Sequence, residues 1–388
     1  MHSQVLPKLP ISKPAFGAEE EEAVVAVLRS GWVTQGEQVA AFEREFAEYC
    51  GVGHAVAVSN CTVAMHLALH AYGVGPGDEV ITVSHSFIAT ANAVRHAGAT
   101  PVFVDIALDD FNIDPALIEA AITPRTKAIL VVHQLGMPCR LAEAAEIAAK
   151  HKLTLIEDAA CAVGSELRLN GTWRRIGATV GAVACFSFHP RKLLTTGDGG
   201  MLTTDDGDLA ARLRRLRQHG MSVNDRERHL SGQVAIESYL EPGFNYRMTD
   251  IQAAVGRCQL ARIPDFVARR RKLAGLYAKH LSGVAGLVLP RDRDDTRTNF
   301  QSYCVLLPDT ADQRAVMQAM LDRGISTRRG VMCAHREPAY AGAPGLRGPL
   351  PASEAAQDRG LILPLYDGLT EEDVIRVARD LAEVLAAQ

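Results

Sequence analysis

The sequence lacks an excess of positive charge. Its 41 Lys and Arg residues are balanced by 45 Asp and Glu residues, which gives a formal net charge of −4 and an isoelectric point near 6.4. The broad basic field needed for non-specific binding to nucleic acids or anionic membranes is therefore missing. We expect neither as a partner, and any anionic ligand must be held by local groups.

Long apolar runs and paired cysteines are also missing. No apolar segment reaches the ~20 residues that a membrane helix needs, and residues 1–14 contain no apolar core of signal-peptide length. The eight cysteines form no CxxC pair and mostly have apolar neighbours, which favours buried free thiols over a disulfide framework. We expect a soluble, unexported, cytoplasmic protein, and we predict no metal site.

The pattern of apolar residues predicts an α/β fold. From about residue 54 to 204, short apolar runs alternate with segments of helical periodicity, as in βαβ units that form a mainly parallel sheet covered by helices on both faces. The seven predicted strands are residues 54–59, 79–84, 100–105, 128–133, 153–158, 182–188 and 199–204. The helix in TVAMHLALHAYG is predicted to have Thr62 as its cap and to stop at Gly73.

The chain is long enough for one large domain and a smaller one. After residue 205 long helices dominate, and a strand is predicted at 301–308. We place the boundary near residue 255. Residues 1–255 would form the large domain with an N-terminal arm, and residues 256–388 a small α+β domain.

Polar residues at the predicted strand ends are the candidates for chemistry, because ligands collect outside the carboxyl ends of strands in open α/β sheets. These residues are Ser59, His85, Asp105, His133, Asp158 and His189. Glu157 and Asp158 must point to opposite faces of their strand, so one of them is expected in the interior or the cleft. The protonated ring nitrogen of a cofactor would keep such a carboxylate ionised, but taken alone the pattern favours a helix cap or a structural ion pair.

Two other segments follow predicted strands. SNCT, at 59–62, lies at a strand-to-helix junction, where free N–H groups and the helix dipole suit a phosphate, although most α/β proteins have such a junction. Lys192 lies in the turn after FSF, where desolvation and nearby cations would lower its pKa and free the amine as a nucleophile or base. Most lysines are solvated surface groups, so taken alone Lys192, like Arg191 beside it, favours a surface role.

The order of sequence blocks resembles a known family. The blocks are SNCTVAMHLAL, SHSFIATANAV, GATPVFVDI, NIDP, TKAILVVHQLG, IEDAACAVGS, CFSFHPRKLLTTGDGGMLTTDD, LRQHG and GFNYRMTDIQAAVGRCQL. Together they resemble the DegT family of sugar aminotransferases, which are pyridoxal-phosphate enzymes of the aspartate-aminotransferase fold (fold type I). The resemblance runs from about Trp32 to Gln259 and continues more weakly to Tyr340.

The resemblance implies roles for individual residues. Lys192 would bind pyridoxal 5′-phosphate covalently and shuttle a proton between cofactor and substrate, while Asp158 would pair with the ring nitrogen. Asn245 would reach the phosphate in a neighbouring subunit, which implies a homodimer with shared active sites. The other expected cofactor contacts are the N–H groups after Cys61, the hydroxyl groups of Thr62 and Ser187, and the ring of Phe87. Core packing remains an alternative for Phe87, as does a turn role for Asn245.

Several positions depart from the family pattern or distinguish its subgroups. Cys161 stands where Gln or His is common near the cofactor's phenolic oxygen, and because a thiol is a weak donor its role stays open. Cys61 replaces a small residue but leaves backbone donation intact, and Leu135 replaces an aromatic residue that would stack on substrate. Lys192 separates the chain from related sugar dehydratases, which have histidine at that position.

The implied reaction transfers an amino group, with L-glutamate as donor, to a keto group of a nucleotide-linked 6-deoxysugar. The candidate substrate contacts are Trp32, Thr34, Arg247, Arg328, Arg329 and His335. The two basic clusters, Arg212/Arg214/Arg215/Arg217 and Arg269/Arg270/Arg271/Lys272, are predicted to be solvated helix faces. A dehydratase or isomerase on the same scaffold, or a non-catalytic cofactor-binding regulator, remains an alternative.

Overall fold

A computed structural model describes residues 8–178, 180–223, 228, 232–234 and 236–388. The strands of its central sheet are β1 (His54–Val58), β2 (Glu79–Val83), β3 (Thr100–Val104), β4 (Thr126–Val132), β5 (Thr154–Asp158), β8 (Val183–Ser187) and β9 (Gly200–Thr204). They are ordered β1-β9-β8-β5-β4-β2-β3. Neighbours from β8 to β3 are parallel, whereas β9 is antiparallel to both β1 and β8. The predicted mainly parallel, seven-stranded α/β fold is confirmed.

Helices cover both faces of this sheet. The helices up to residue 216 are α1 (Ala18–Ser30), α2 (Glu37–Cys50), α3 (Cys61–Ala71), α4 (Ala89–His96), α5 (Ile118–Ala121), α6 (Leu141–His151) and α7 (Gly207–Leu216). One hydrophobic cluster joins the sheet to α2, α5 and α6, and another joins it to α3, α4 and α7. Leu155 and Ile156, neighbours on β5, belong to opposite clusters. The strands are apolar almost throughout because both faces of the sheet are buried.

The C-terminal part begins with two long helices, α8 (Asp250–Ala261) and α9 (Ile263–Leu281). Further along are α10 (Gln313–Asp322), α11 (Pro351–Arg359) and α12 (Glu371–Ala386), with an antiparallel sheet of β11 (Tyr303–Leu306), β13 (Gly360–Leu363) and β12 (Arg328–Arg329). A second small sheet contains β10 (Thr296–Arg297), β6 (Glu166–Leu169) and β7 (Thr172–Arg175). The expected domain boundary near residue 255 lies inside α8, and the division into two domains stays a prediction. No helix in the described ranges has the length and apolarity to cross a membrane.

The predicted cap of α3 is wrong. Asn60 caps the helix, since its side-chain oxygen accepts a hydrogen bond from the Val63 N–H at 3.0 Å. Thr62 is the second residue of the helix itself, and a capping side chain must precede the first helical residue to reach an N–H of the first turn. The predicted stop is correct, because Gly73 follows the C-cap with φ = +71°, a conformation that glycine adopts without strain.

The prediction that both basic clusters are solvated helix faces is also wrong. Arg217 is only 4% exposed, where it pairs with Glu43 and donates to the carbonyl of Ala57 at 2.6 Å. Arg270 is 6% exposed and donates to the carbonyls of Phe300 and Gln301. A guanidinium group carries five donors, so it can satisfy carbonyl groups that strand ends and loops leave unpaired. Periodicity along one helix does not reveal such partners, which come from distant segments.

Candidate active site

Lys192 lies in the turn after β8, at the edge of the sheet where its parallel strands end. The N–H of Lys192 donates to the carbonyl of His189 at 2.8 Å, which turns the chain soon after the strand ends at Ser187. The Nζ atom of the half-buried side chain lies 3.0 Å from Sγ of Cys161, which follows β5. The amine and the thiol are thus brought together from two neighbouring strands.

The pKa of Lys192 is raised, contrary to the lowered pKa expected from the sequence. Burial acts to lower this pKa, but the neighbouring Cys161 and Asp158 outweigh burial and raise it. The prediction relied on nearby cations, whereas the groups that act on Nζ are acids. The free side chain is therefore held as an ammonium group that donates to Sγ.

Asp158 ends β5 on the opposite face from Glu157. Its Oδ2 atom accepts a hydrogen bond from Oγ1 of Thr90 at 2.7 Å, and its Oδ1 atom accepts from the N–H of Ala160 at 3.1 Å. Burial raises the pKa of Asp158, while these two hydrogen bonds and the charge of Lys192 act to lower it. Within the described ranges no salt bridge involves Asp158, so both of its bonded donors are uncharged.

The first turn of α3 packs directly on β8 and β9. A Cβ atom on Gly200 would lie 2.5 Å from the carbonyl carbon of Asn60, and Gly200 pairs with Ser187 in the sheet. The Sγ atom of Cys61 lies 3.5 Å from the carbonyl of Cys185. The N–H groups of Cys61 and Thr62 belong to the first turn of α3, where helical N–H groups have no intrahelical acceptor. Ser187 and this helix start therefore lie side by side.

The ring of Phe87 is 68% exposed, although it follows a fully buried strand. The carbonyl of Phe87 accepts from the N–H of Thr90 at 3.1 Å, and the Thr90 hydroxyl donates to Asp158. One turn therefore links an uncovered aromatic ring to the buried carboxylate. Such exposure does not fit the core-packing alternative for Phe87.

A model of the DegT/DnrJ/EryC1/StrS aminotransferase family matches residues 14–382. The chain belongs to this family. It is 42% identical over 388 residues to GDP-perosamine synthase of Caulobacter vibrioides, covering 98% of this chain and 99% of that protein. It is 39% identical to the spore coat polysaccharide biosynthesis protein SpsC of Bacillus subtilis, covering 97% of each chain. The X-ray structure of DesV from S. venezuelae in complex with a ketimine intermediate matches with a TM-score of 0.88 and 38% identity, covering 98% of this chain and 99% of DesV.

The family resemblance predicted from the sequence blocks is therefore confirmed, and the protein is an aminotransferase. In this DegT-family enzyme, Trp32 and Thr34 lie in the loop before α2. Nε1 of Trp32 donates to the carbonyl of Gln35 at 3.1 Å, while the carbonyl of Thr34 accepts from the N–H of Asp250 at 3.0 Å. These contacts attach the loop to the start of α8 and leave the Thr34 side chain exposed.

The other candidate substrate contacts lie farther along the chain. His335 is bound on both sides, with Nδ1 2.7 Å from Oγ of Ser84 and Nε2 3.0 Å from Glu354. Arg329 is exposed on β12 and pairs with Glu337 at 3.2 Å. Arg328 is its exposed neighbour on the same strand, and Arg247 is half-buried. The structure thus anchors His335 firmly, while the arginines remain at the surface or near it.

Asn245 lies exposed in the loop before α8, bridged to Gln218. The next residue, Tyr246, accepts a hydrogen bond at its carbonyl from the N–H of Ser59 at 2.9 Å. This bond fastens the loop to the strand-to-helix junction that precedes α3. The role of Asn245 toward a second subunit stays a prediction, as does its alternative as a turn residue.

Sequence reasoning missed three residues of the site: Thr90, Asn299 and Gln301. Thr90 had a local clue, because it lies only three residues after Phe87, in the first turn of α4. Asn299 donates to the carbonyl of Cys161 at a separation of 138 residues, and Gln301 accepts from the N–H of Leu193 at a separation of 108. No local pattern connects segments so far apart.

The arrangement fits pyridoxal 5′-phosphate. Lys192 supplies an amine at the sheet edge. The buried Asp158 carboxylate, which accepts from the uncharged Thr90 hydroxyl and Ala160 N–H, suits a protonated ring nitrogen. The close approach of Gly200 to Asn60 leaves a helix start beside Ser187 that suits a phosphate. The exposed ring of Phe87 suits a planar partner.

Proposed function

We propose that this aminotransferase uses pyridoxal 5′-phosphate to move an amino group from L-glutamate to a keto group of a nucleotide-linked 6-deoxysugar. The observation that carries the proposal is the joint presence of Lys192 and Asp158 at the ends of adjacent strands, each acting on the pKa of the other. The name of the 42% identical relative, GDP-perosamine synthase, supports a nucleotide-linked sugar. A cytoplasmic location belongs to the same proposal.

When bound, the cofactor supplies a ring that accepts an electron pair from the substrate carbon. Lys192 would hold the cofactor through Nζ and, once an amino substrate displaces it, carry a proton to and from that carbon. Asp158 would keep the ring nitrogen protonated, with its Oδ2 atom fixed by Thr90. Cys161 lies 3.0 Å from Nζ, so its sulfur would accept the hydrogen bond of the free amine.

Groups around Lys192 and Asp158 would bind and orient the cofactor and the substrate. The first N–H groups of α3, the hydroxyl of Thr62 and that of Ser187 would hold the phosphate at the helix start. Phe87 would cover one face of the ring. Arg247, Arg328 and Arg329 would meet the diphosphate of the sugar nucleotide, and Trp32, Thr34 and His335 would line the sugar pocket. Arginine suits this task because its planar fork matches phosphate oxygens.

The same proposal includes a homodimer in which Asn245 serves the site of the partner subunit. Its exposure in a loop fastened beside α3 supports a contact outside its own chain. Mixing the inactive variants Lys192→Ala and Asn245→Ala tests this, because a mixed dimer would have one intact site and one with both changes. Random exchange should restore about one quarter of the wild-type activity, since half of the dimers are mixed. A turn role for Asn245 predicts no recovery.

The central assignment is tested by borohydride reduction of the purified enzyme reconstituted with pyridoxal 5′-phosphate, followed by peptide mapping. We expect the label on Lys192 alone, and we expect L-glutamate to change the absorbance of the cofactor before reduction. Lys127 is a matched control, because it is an exposed lysine on β4 of the same sheet.

The outcomes separate the competing functions. Label on another lysine would contradict the assignment of Lys192, and failure to bind the cofactor would refute the proposed chemistry. Cofactor binding without any spectral response to amino donors would instead favour a binding or regulatory protein. Spectral exchange with glutamate but no product from a keto sugar nucleotide would refute the substrate class alone.

A further inference from the structure

A three-residue segment between β10 and β11, Asn299–Phe300–Gln301, contacts the turn that carries Cys161 through Asn299 and the turn that carries Lys192 through Gln301. We call it the 299–301 segment. Its residues belong to the C-terminal part of the chain, whereas Lys192 and Cys161 follow strands of the central sheet. Both polar members are buried, with Asn299 fully enclosed and Gln301 7% exposed. Their side-chain amides are therefore committed to protein partners.

The side-chain amide of Gln301 forms hydrogen bonds with the backbone on both sides of Lys192. Its Oε1 atom accepts from the N–H of Leu193 at 3.0 Å, and its Nε2 atom donates to the carbonyl of Arg191 at 2.5 Å. The two bonds hold the peptide groups immediately before and after Lys192. The backbone that carries the amine therefore cannot shift without breaking at least one buried hydrogen bond.

Asn299 holds the segment that carries the thiol. Its Nδ2 atom donates to the carbonyls of Cys161 and Val163, both at 2.8 Å, and its N–H donates to Oγ of Ser165 at 3.0 Å. Its Oδ1 atom accepts from the N–H of Gln301 at 2.7 Å. The Asn299 side chain thus fixes the turn after β5 and also accepts a hydrogen bond from Gln301, which holds the backbone around Lys192.

The 299–301 segment is itself held in place by contacts with Arg270 and Gly136. Buried Arg270 donates to the carbonyls of Phe300 and Gln301 at 3.1 and 2.9 Å. Phe300 has φ = +48°, a strained conformation for a non-glycine residue that persists only where neighbours hold it. Gly136 makes room for the segment, since a Cβ atom there would lie 2.0 Å from Oδ1 of Asn299.

We propose that Asn299 and Gln301 are positioning residues that set the distance between Nζ of Lys192 and Sγ of Cys161. The proposal rests on the proposed function of Lys192. The two atoms lie on separate turns, and the 299–301 segment bonds the backbone of both. Displacing a reacting group by about 1 Å can lower the rate up to ~100-fold. The hydrogen bonds of Asn299 and Gln301 therefore affect the reaction, although neither residue touches the reacting atoms.

The test compares Gln301→Met and Gln301→Ala with the wild-type enzyme loaded with its cofactor. Methionine keeps most of the side-chain volume but loses both hydrogen bonds, which separates bonding from packing. We expect kcat to fall about 10- to 100-fold, with KM for both substrates changed less than about twofold. The pH midpoint of the bound cofactor's absorbance should also move, because Nζ changes its position relative to Cys161.

Gln313→Ala is the matched control. The Gln313 side chain also bonds two peptide groups, donating to the carbonyls of Gln357 and Gly360 at 2.8 and 2.7 Å, but it lies on α10. It should lower stability to denaturant without moving kcat or the absorbance midpoint. Wild-type behaviour of Gln301→Met in both measurements would overturn the positioning role while leaving the proposed function intact. A wild-type enzyme that binds no cofactor would refute the proposed function and the positioning role together.

Discussion

The hydrogen bond from Thr90 to Asp158 should control the ionisation of the carboxylate that we assign to the ring nitrogen. Replacing Thr90 with valine keeps the shape of the side chain but removes the hydroxyl that donates to Oδ2 at 2.7 Å. A hydrogen bond to a charged acceptor contributes about 1.5–3 kcal/mol. Since 1.4 kcal/mol is a factor of ten in an equilibrium constant, its loss should make ionisation about 10- to 100-fold less favourable and so raise the pKa of Asp158.

The direction of the pH effect follows from the charge that the site needs. Burial already raises the pKa of Asp158, and Thr90 opposes that rise. The ionised carboxylate is present above its pKa and is lost as the pH falls through it. Without Thr90 the loss begins at a higher pH, so the acidic limb of the kcat profile should move to higher pH. At a pH on that limb, kcat should fall about 10- to 100-fold.

The assay is the pH dependence of kcat, together with the absorbance of the bound cofactor. Thr82→Val is the matched control, because Thr82 is also fully buried and its hydroxyl donates to the carbonyl of Leu130 at 2.8 Å. It should cost stability and leave the acidic limb in place. If Thr90→Val and Thr82→Val gave the same profile as the wild type, Thr90 would not tune Asp158 and the reasoning would fail.

Three further substitutions test the site and its support. Gly200→Ala should destabilise the fold by about 1–3 kcal/mol and weaken cofactor binding, because the added Cβ would meet the backbone of Asn60. Urea unfolding and cofactor titration measure the two effects. The control Gly275→Ala, on an open face of α9, should change neither the stability nor the cofactor affinity. Cys161→Ala removes a group that raises the pKa of Lys192, so the pH midpoint of apoenzyme loading should move down; an unchanged midpoint would contradict this. Arg217→Met leaves Glu43 buried with a weaker partner in Arg214 and should cost about 3 kcal/mol in urea unfolding, whereas Arg44→Met, at the surface, should cost little.

The central sheet could be predicted because its strands are buried on both faces. Each of the seven apolar runs corresponds to one strand, usually within two residues at either end. The short strands β10, β12 and β13 were missed, because strands of two to four residues show no clear alternation and these pair with distant segments. Strands β6 and β7 form a local hairpin through Asn170 and Gly171, and this Asn-Gly turn signal was overlooked. The cap of α3 was missed for a local reason, since Asn60 and Thr62 are both good capping residues two positions apart.

The candidate site could be predicted only as far as its residues lie in contiguous blocks. Lys192, Asp158, Ser187 and the start of α3 each belong to a strand end or the turn that follows it, so the family blocks contain them. Arg270 has no such context and was assigned to a solvated face because its neighbours in sequence are basic. Its true partners, the carbonyls of Phe300 and Gln301, are about 30 residues away. Buried polar contacts between distant segments are invisible to periodicity.

Two adjacent acids on β5 illustrate how the fold separates structural from chemical tasks. Glu157 lies on one face, where Nε2 of His133 is 3.1 Å from its Oε2 atom and the N–H of Cys139 donates to Nδ1 of the same ring. Because Nδ1 accepts that bond, Nε2 carries the proton and donates to Glu157, which satisfies the buried acid within the protein. Among the residues that the structure describes, the donors to Asp158, one residue later, are Thr90 and Ala160. The strand thus buries two carboxylates and leaves one without a cationic side chain bonded to it, which is the condition for pairing with a charged ligand.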